Sequence, residues 1–357
     1  MPGSASENQP ETLRTGQALE IAHSWAGAVE AEEAATSPGD PRTVGPRTRR
    51  IWLYLAAACH LVEDVAIGLL RLTGVAIRPL GNRMHKGSVE SAVRYTEGVW
   101  AVYRQYIPDG SFGRVCEVGP GDSLGMGVMF ASHGAEQVVL VDRFKLRPPP
   151  ARDHEICAAL FRNQAQALVP RFAGVTAVRN MIKVVDSVPA EQYFAGADAP
   201  FDFICSNAVL EHLDDPLRVL TGMCDALAPG GTMVHIVDLG GHRLFRRFGP
   251  LAWLEMPTWL HRLLRRHSAK PNRVLFHAYK QWAQGRPGVV IGIRNLVGSG
   301  RDFGGASESD LPAEEVARAR AIVSARRPWF APPLCEEPVA DLAVATFIIS
   351  FTKPAGD

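Results

Sequence analysis

Residues 114–122 (RVCEVGPGD) constrain the fold most: a short apolar strand, Val115, Cys116 and Val118, breaks directly into a loop carrying Gly119 and Gly121. Glycine has no Cβ and tolerates positive φ, so such a loop lets backbone approach a ligand closely. A second apolar run, residues 138–142 (VVLVD), ends in Asp142. An acid at the carboxyl end of the neighbouring parallel strand can accept hydrogen bonds from two ribose hydroxyls. Together the two segments describe a nucleoside pocket.

What is missing decides which nucleoside. A dinucleotide fingerprint requires a third glycine, and Leu124 stands there, with Gly125 one residue late. No lysine follows the glycines as a phosphate-binding P-loop demands. Glu117, at the junction of strand and loop, would repel a pyrophosphate and suits a cation. S-adenosylmethionine is a cation with an amino group, a ribose and no phosphate. On these residues the chain resembles the class I S-adenosylmethionine-dependent methyltransferases of small-molecule type, whose first motif runs Glu/Asp-x-Gly-x-Gly.

Three further segments extend the resemblance in order along the chain. Residues 183–187 (KVVDS) are similar to the family's third strand, ending at the acid that faces the adenine amino group. Residues 201–216 (FDFICSNAVLEHLDDP) read as a buried strand, a turn at Ser206 and Asn207, and a helix starting at Val209. Residues 227–238 (LAPGGTMVHIVD) are similar to the family's helix stop, Pro-Gly-Gly turn and fifth strand. The resemblance implies an α/β fold, a Rossmann-like doubly wound sheet of about seven strands, mostly parallel with an antiparallel last strand. It implies an enzyme using S-adenosylmethionine, with cofactor contacts from Glu117, Gly119, Pro120, Gly121, Asp142, Arg143, Asp186, Ser187 and Asn207.

Composition narrows the partners. The 357 residues carry a net charge of +1, so no global field recruits nucleic acid. The six cysteines lack paired spacing, which favours a reduced cytoplasm and argues against a zinc-type cluster; no metal is expected. No basic stretch followed by a clean apolar run marks a signal peptide. Residues 51–70 are apolar enough to resemble a membrane span, but Glu63 and Asp64 lie inside, and an Asp at a helix centre costs about 3 kcal/mol. A soluble helix with a wide apolar face is expected there.

Residues 1–46, rich in Ser, Pro, Gly, Glu and Ala, read as a disordered tail with a weak helix near 17–35. Residues 47–110 read as helices interrupted around 78–82; those at 91–106 align Val93, Trp100, Val102, Tyr103 and Tyr106, as a cover for the sheet or a lid over the cofactor. Residues 111–357 form the methyltransferase-like domain. Strand and helix alternate from 112 to about 240, and apolar runs at 288–293 and 341–351 complete the sheet. Inserts at about 241–286 and 295–340 fall over its carboxyl ends, where open α/β sheets bind ligands.

Methyl transfer from a sulfonium is an in-line displacement, and a hydroxyl acceptor needs a base, most often histidine. Period-two alternation puts His235 on one face of its strand, as a core side chain, and Asp238 on the other. Asp238 and His242 are the expected catalytic pair, as an acid and a histidine after the fifth strand are in similar small-molecule enzymes. His212 and Arg273 are candidate substrate contacts, His212 with a competing packing or capping role. The turn 206–209 (SNAV) differs from the Asn/Asp-Pro-Pro-Tyr/Phe of nucleic-acid amino methyltransferases, so a small or lipid-like acceptor, methylated at a hydroxyl oxygen, is expected. The insert 243–280 mixes nine cations with aromatics: it suits a phosphate or carboxylate pocket, a peripheral membrane contact, or a helix face packed on the core. A non-catalytic cofactor-binding scaffold and a dehydrogenase are the alternative readings.

Overall fold

A computed structural model describes residues 46–72, 87–107, 113–144, 150–164, 174–196, 200–242, 244–245, 248–268 and 270–355. The expected tail through residue 45 and the interruption at 78–82 lie outside the described residues. Seven strands form one sheet: β1 Arg114–Val118, β2 Gln137–Asp142, β3 Ile182–Asp186, β4 Phe201–Asn207, β5 Leu227–Asp238, β6 Val289–Leu296 and β7 Val344–Thr352. Their order is β3-β2-β1-β4-β5-β7-β6, with β7 antiparallel to both neighbours and the rest aligned. The chain works outward to β3 on one side of β1 and then returns to β4 on the other. A crevice therefore opens at the carboxyl ends of β1 and β4.

The helices are α1 Pro46–Leu72, α2 Val89–Tyr103, α3 Gly125–Ser132, α4 Pro150–Gln164, α5 Val175–Arg179 and α6 Ala190–Tyr193, followed by α7 Pro216–Ala226, α8 Thr258–Leu264, α9 Phe276–Ala283, α10 Ala313–Arg326 and α11 Val339–Leu342. Because helices cover both sheet faces, β1, β2 and β4 are buried almost continuously rather than alternately. The sheet divides the core into two clusters; in one, α2 lays Trp100 edge-on against Phe130 at 5.3 Å and buries Tyr103 beside Phe203. Tyr95 of the same helix accepts a hydrogen bond from Asn207 Nδ2 at 2.8 Å, so α2 both covers the sheet and reaches the crevice.

Three local expectations are corrected. The helix expected from Val209 is a single 3-10 turn, Leu210–His212; α7 begins only at Pro216, where the Asp215 carboxylate caps the Arg218 amide and proline supplies the helical φ. The Pro-Gly-Gly turn is absorbed into β5 as a bulge between the Phe201 and Phe203 pairings. Gly231 is required there, since a Cβ would stand 2.8 Å from the Phe201 carbonyl oxygen. The last strand starts at Val344, not 341, because residues 339–342 are helical.

The segment after β5 folds as a cap whose apolar side chains, among them Phe248, Trp253, Leu254 and Leu260, are buried in the main core. Its described cations mostly fasten it down. Arg265 donates to the Leu213 carbonyl and pairs with Asp214, Lys270 pairs with Glu63, and Lys280 pairs with Asp341. Arg243, Arg246 and Arg247 lie outside the described residues. What this segment exposes is narrower than expected: Trp259 and Leu263 with Arg262 and Arg266, on and just after α8. Most of the exposed large apolar side chains among the described residues belong to α1, where Ile51, Trp52, Leu55, Val62, Val65 and Leu69 face outward; Trp259 and Leu263 of the cap are exposed as well.

Candidate active site

The crevice is built by the turns that leave β1, β4 and β5. Gly119 and Gly121 both have positive φ, +69° and +71°, which follows from the abrupt strand-to-loop change. Gly119 also lies against Val209, where a Cβ would meet Cγ2 at 2.4 Å, while Gly121 has open space around it. The Gly119 amide donates to the Val141 carbonyl, which locks the loop to the end of β2. Asp142 and Asp186 are register partners at the ends of β2 and β3. Asp142 Oδ1 accepts from the Phe144 amide, Arg143 stacks over the Phe144 ring, and Ser187 holds a left-handed φ of +64° beside Asp186.

Glu117 is the one carboxyl of this group that is buried, and its Oε2 has no hydrogen-bond partner. Burial, with the Asp142 charge nearby, pushes it up to about 8. An orphaned acid next to an acid-tipped strand is poor design for a bare core and good design for a cationic ligand. The open cradle at Gly121 and the orphaned Glu117 oxygen fit a nucleoside carrying an amino group.

A second group of polar residues gathers from the turns after β4 and β5. Asp238 ends β5, and its Oδ1 accepts from the Gly240 amide. That turn delivers His242 in a left-handed conformation, φ +44°, uncommon for a residue with a side chain. His242 Nε2 stands 3.3 Å from Glu211 Oε1 and 3.6 Å from Asp238 Oδ2. The His212 ring meets the His242 ring edge-on at 4.7 Å. Burial pulls His242 down, but the close contact with Glu211 and the Asp238 and Glu211 charges outweigh it and hold the imidazole up at about 9. Burial pushes Glu211 in the same direction, to about 7. A histidine so placed carries its proton at neutral pH, which matters for any role as a base.

His235 takes the core position expected of it: fully buried, its Nδ1 meets Ser206 Oγ at 2.8 Å, and burial drops it to about 3. Arg273, expected as a substrate contact, is anchored within the cap. Its guanidinium donates to the Met256 and Trp253 carbonyls inside the cap. Asn272, its neighbour, does the more telling work, donating to the Leu210 and Leu213 carbonyls and so fixing the turn that carries Glu211 and His212. Sequence reading passed over Glu211 as a catalytic group, although it stands inside the quoted LEHL run; its burial is a tertiary fact. A cavity of about 310 Å³ opens under the cap, starting at Leu239 and Gly240 and walled by Leu251, Leu254, Leu275 and Leu296.

The family model described as "Methyltransferase domain" matches residues 93–284, a span that contains the glycine loop, all of the crevice turns and most of the cap. The chain belongs to this family. It is a class I S-adenosylmethionine-dependent methyltransferase, an enzyme, and S-adenosylmethionine is its cofactor. The dehydrogenase and scaffold readings are set aside. No curated protein matches the methyltransferase. Solved structures similar to it include the N-methyltransferase NodS from Bradyrhizobium japonicum WM9, 13% identical, covering 73% of this chain and 96% of that one, with a TM-score of 0.34. The phosphoethanolamine N-methyltransferase 2 of Haemonchus contortus is 16% identical, covers 71% of this chain and 52% of that one, with a TM-score of 0.35. The [4+2]-cyclase SpnF is 15% identical, covers 84% of this chain and 97% of that one, with a TM-score of 0.38.

Proposed function

We propose that the methyltransferase methylates a hydroxyl oxygen of a small, lipid-like acceptor. The observation that carries this reading is the Asp238, His242 and Glu211 cluster at the end of β5, with a cavity whose lining begins at the next residues, Leu239 and Gly240. Nitrogen and sulfur acceptors need little help in displacing a sulfonium, whereas a hydroxyl must lose its proton, and proton-handling groups at the acceptor side favour oxygen. The leucine walls of the cavity favour an apolar body on the acceptor. In this reading Glu117 meets the cofactor amino group and Asp142 the ribose. Gly119, Pro120 and Gly121 cradle the methionine portion, Asp186, Ser187 and Arg143 border the adenine, and Asn207, held by Tyr95, lies under the sulfonium. When bound, the cofactor supplies an electrophilic methyl group; the chain supplies alignment and exclusion of water.

The test is transfer of a labelled methyl group from S-adenosylmethionine into a lipid and small-molecule extract, with the product identified by mass spectrometry and NMR. Label on an ether oxygen supports the reading, and label on a carboxylate, nitrogen, sulfur or a macromolecule refutes it. Asp142→Ala should abolish calorimetric binding of S-adenosylmethionine and of its demethylated product.

An acceptor of this kind is drawn from a bilayer, and α1 supports contact with an anionic lipid surface. By length and composition residues 48–69 could cross a membrane. Arg49, however, pairs with Glu255 at 2.6 Å, and Asp64 accepts the amides of His267 and Ser268, so α1 is fastened along the cap at both ends. A span would carry these charges into hydrocarbon. A helix lying flat keeps them buried and offers lipid an outward face without an exposed charge from Ile51 to Leu69, flanked by exposed Arg50, Arg262 and Arg266. Full-length protein should sediment with vesicles containing phosphatidylglycerol and lose this with Ile51, Leu55 and Val62 changed to Ser. Equal sedimentation of the variant, or a dimer without vesicle binding, refutes the contact.

A further inference from the structure

A proton is not the only cation that would satisfy the cluster after β5. We propose that Glu211, His212 and His242, with Asp238 alongside, hold a divalent transition-metal ion at the acceptor side. One ligand atom from each of the first three lies within 4.8 Å of the others. For metal–nitrogen and metal–oxygen bonds of about 2.1 Å, donors on one ion stand about 3.0 Å apart at a right angle and about 3.4 Å apart in a tetrahedron. His242 Nε2 is 3.3 Å from Glu211 Oε1 and 3.6 Å from Asp238 Oδ2, which is the spacing of neighbours in a coordination shell.

Two independent features favour an ion over a shared proton. Glu211 is 1% exposed, and neither carboxylate oxygen makes a geometrically sound hydrogen bond. A single proton between Glu211 and His242 leaves one buried oxygen unsatisfied, a cost of about 1–3 kcal/mol that a bidentate metal contact removes. The backbone, moreover, is committed to this arrangement. His242 is held at φ +44°, the Gly240 amide is tied to Asp238, and Asn272 clamps the turn bearing Glu211 and His212. A mixed carboxylate and imidazole set suits zinc, manganese or iron better than magnesium.

The consequence rests on the hydroxyl-acceptor reading above. An ion held by these residues would polarise an acceptor hydroxyl and lower its pKa, so that its proton could leave to solvent. The alkoxide oxygen then forms a bond to the methyl carbon as the carbon–sulfur bond breaks, its electron pair returning to sulfur to give the neutral thioether.

The test is calorimetric titration of chelator-treated full-length protein with Zn²⁺, Mn²⁺ and Mg²⁺, with no acceptor present. One equivalent of Zn²⁺ or Mn²⁺ should bind and weaken by ~100-fold or more in Glu211→Gln and in His242→Asn, since a lost ligand costs at least what a lost outer-shell partner does. Binding of the demethylated cofactor product should be retained in both variants, which shows that they are folded. Absence of saturable binding to the wild type, or equal affinity in the variants, overturns the proposal. The two readings fail separately: an ion bound with methyl found on nitrogen sinks only the hydroxyl acceptor, and methyl on oxygen with no ion bound sinks only the metal.

Discussion

Acidification should unfold this enzyme through His235. In the native state burial holds the imidazole down at about 3, while the unfolded chain titrates near 6.5. Below pH 6.5 the unfolded state therefore binds a proton that the folded state refuses, so stability is full above that value and falls as pH drops toward 3. At pH 5.0 the difference is 1.5 pH units, or about 2 kcal/mol from this one residue, rising to about 5 kcal/mol near pH 3. Nε2 is buried without a partner while Nδ1 meets Ser206, so a protonated ring would carry an unpartnered buried N–H at Nε2. Urea denaturation at pH 7.5 and pH 5.0, on the wild type and on His235→Asn, isolates this contribution. Every other titrating group is common to both proteins, and the amide can still reach Ser206. The wild type should lose about 2 kcal/mol more than the variant over that interval. Equal losses would mean that His235 takes up a proton in the folded state, and the argument from its burial would be wrong.

Other perturbations test the site and its supports. Gly119→Ala places a Cβ 2.4 Å from Val209 at a positive φ, so it should weaken cofactor binding at least ~10-fold by calorimetry, matching the 1–3 kcal/mol strain expected of such a position. Asp64→Ala removes the acceptor of two backbone amides and the Ser268 hydroxyl, and should lower stability by about 3 kcal/mol and raise hydrogen exchange at residues 264–268. Asn272→Ala deletes the two bonds to the 210–213 turn and one from the Val274 amide. It should cost about 2–3 kcal/mol in denaturation and lower methyl transfer while leaving product binding intact.

Strand positions and the cofactor loop were legible in the chain because they rest on short-range rules. A buried parallel strand is a run of apolar residues, and a loop that must turn at once needs glycine, so residues 114–122, 138–142 and 201–207 declare themselves locally. The same holds for His235, whose core position follows from period-two alternation. Helix starts were less legible. The LEHL run has helical composition, yet it makes one 3-10 turn because Asp215 and Pro216 provide a better cap five residues on. Arg273 was less legible: its charge advertised an anionic ligand, but its two Nη groups donate to the cap carbonyls of Met256 and Trp253.

By itself the sequence determined a doubly wound sheet with a nucleoside crevice, through patterns that each span fewer than about twenty residues and need no knowledge of distant neighbours. Only the tertiary structure decided which side chains gather at the end of β5. Glu211 and His242 are distant in sequence, and they meet because β4 and β5 pair in parallel and release their turns at the same edge. The outward face of α1 was decided in the same way. Its apolar residues lie on every side of the helix, and the cap, anchored through Arg49 and Asp64, determined which of them would be buried and which left exposed. Composition sets how much apolar surface a helix carries; only packing chooses the side that stays uncovered.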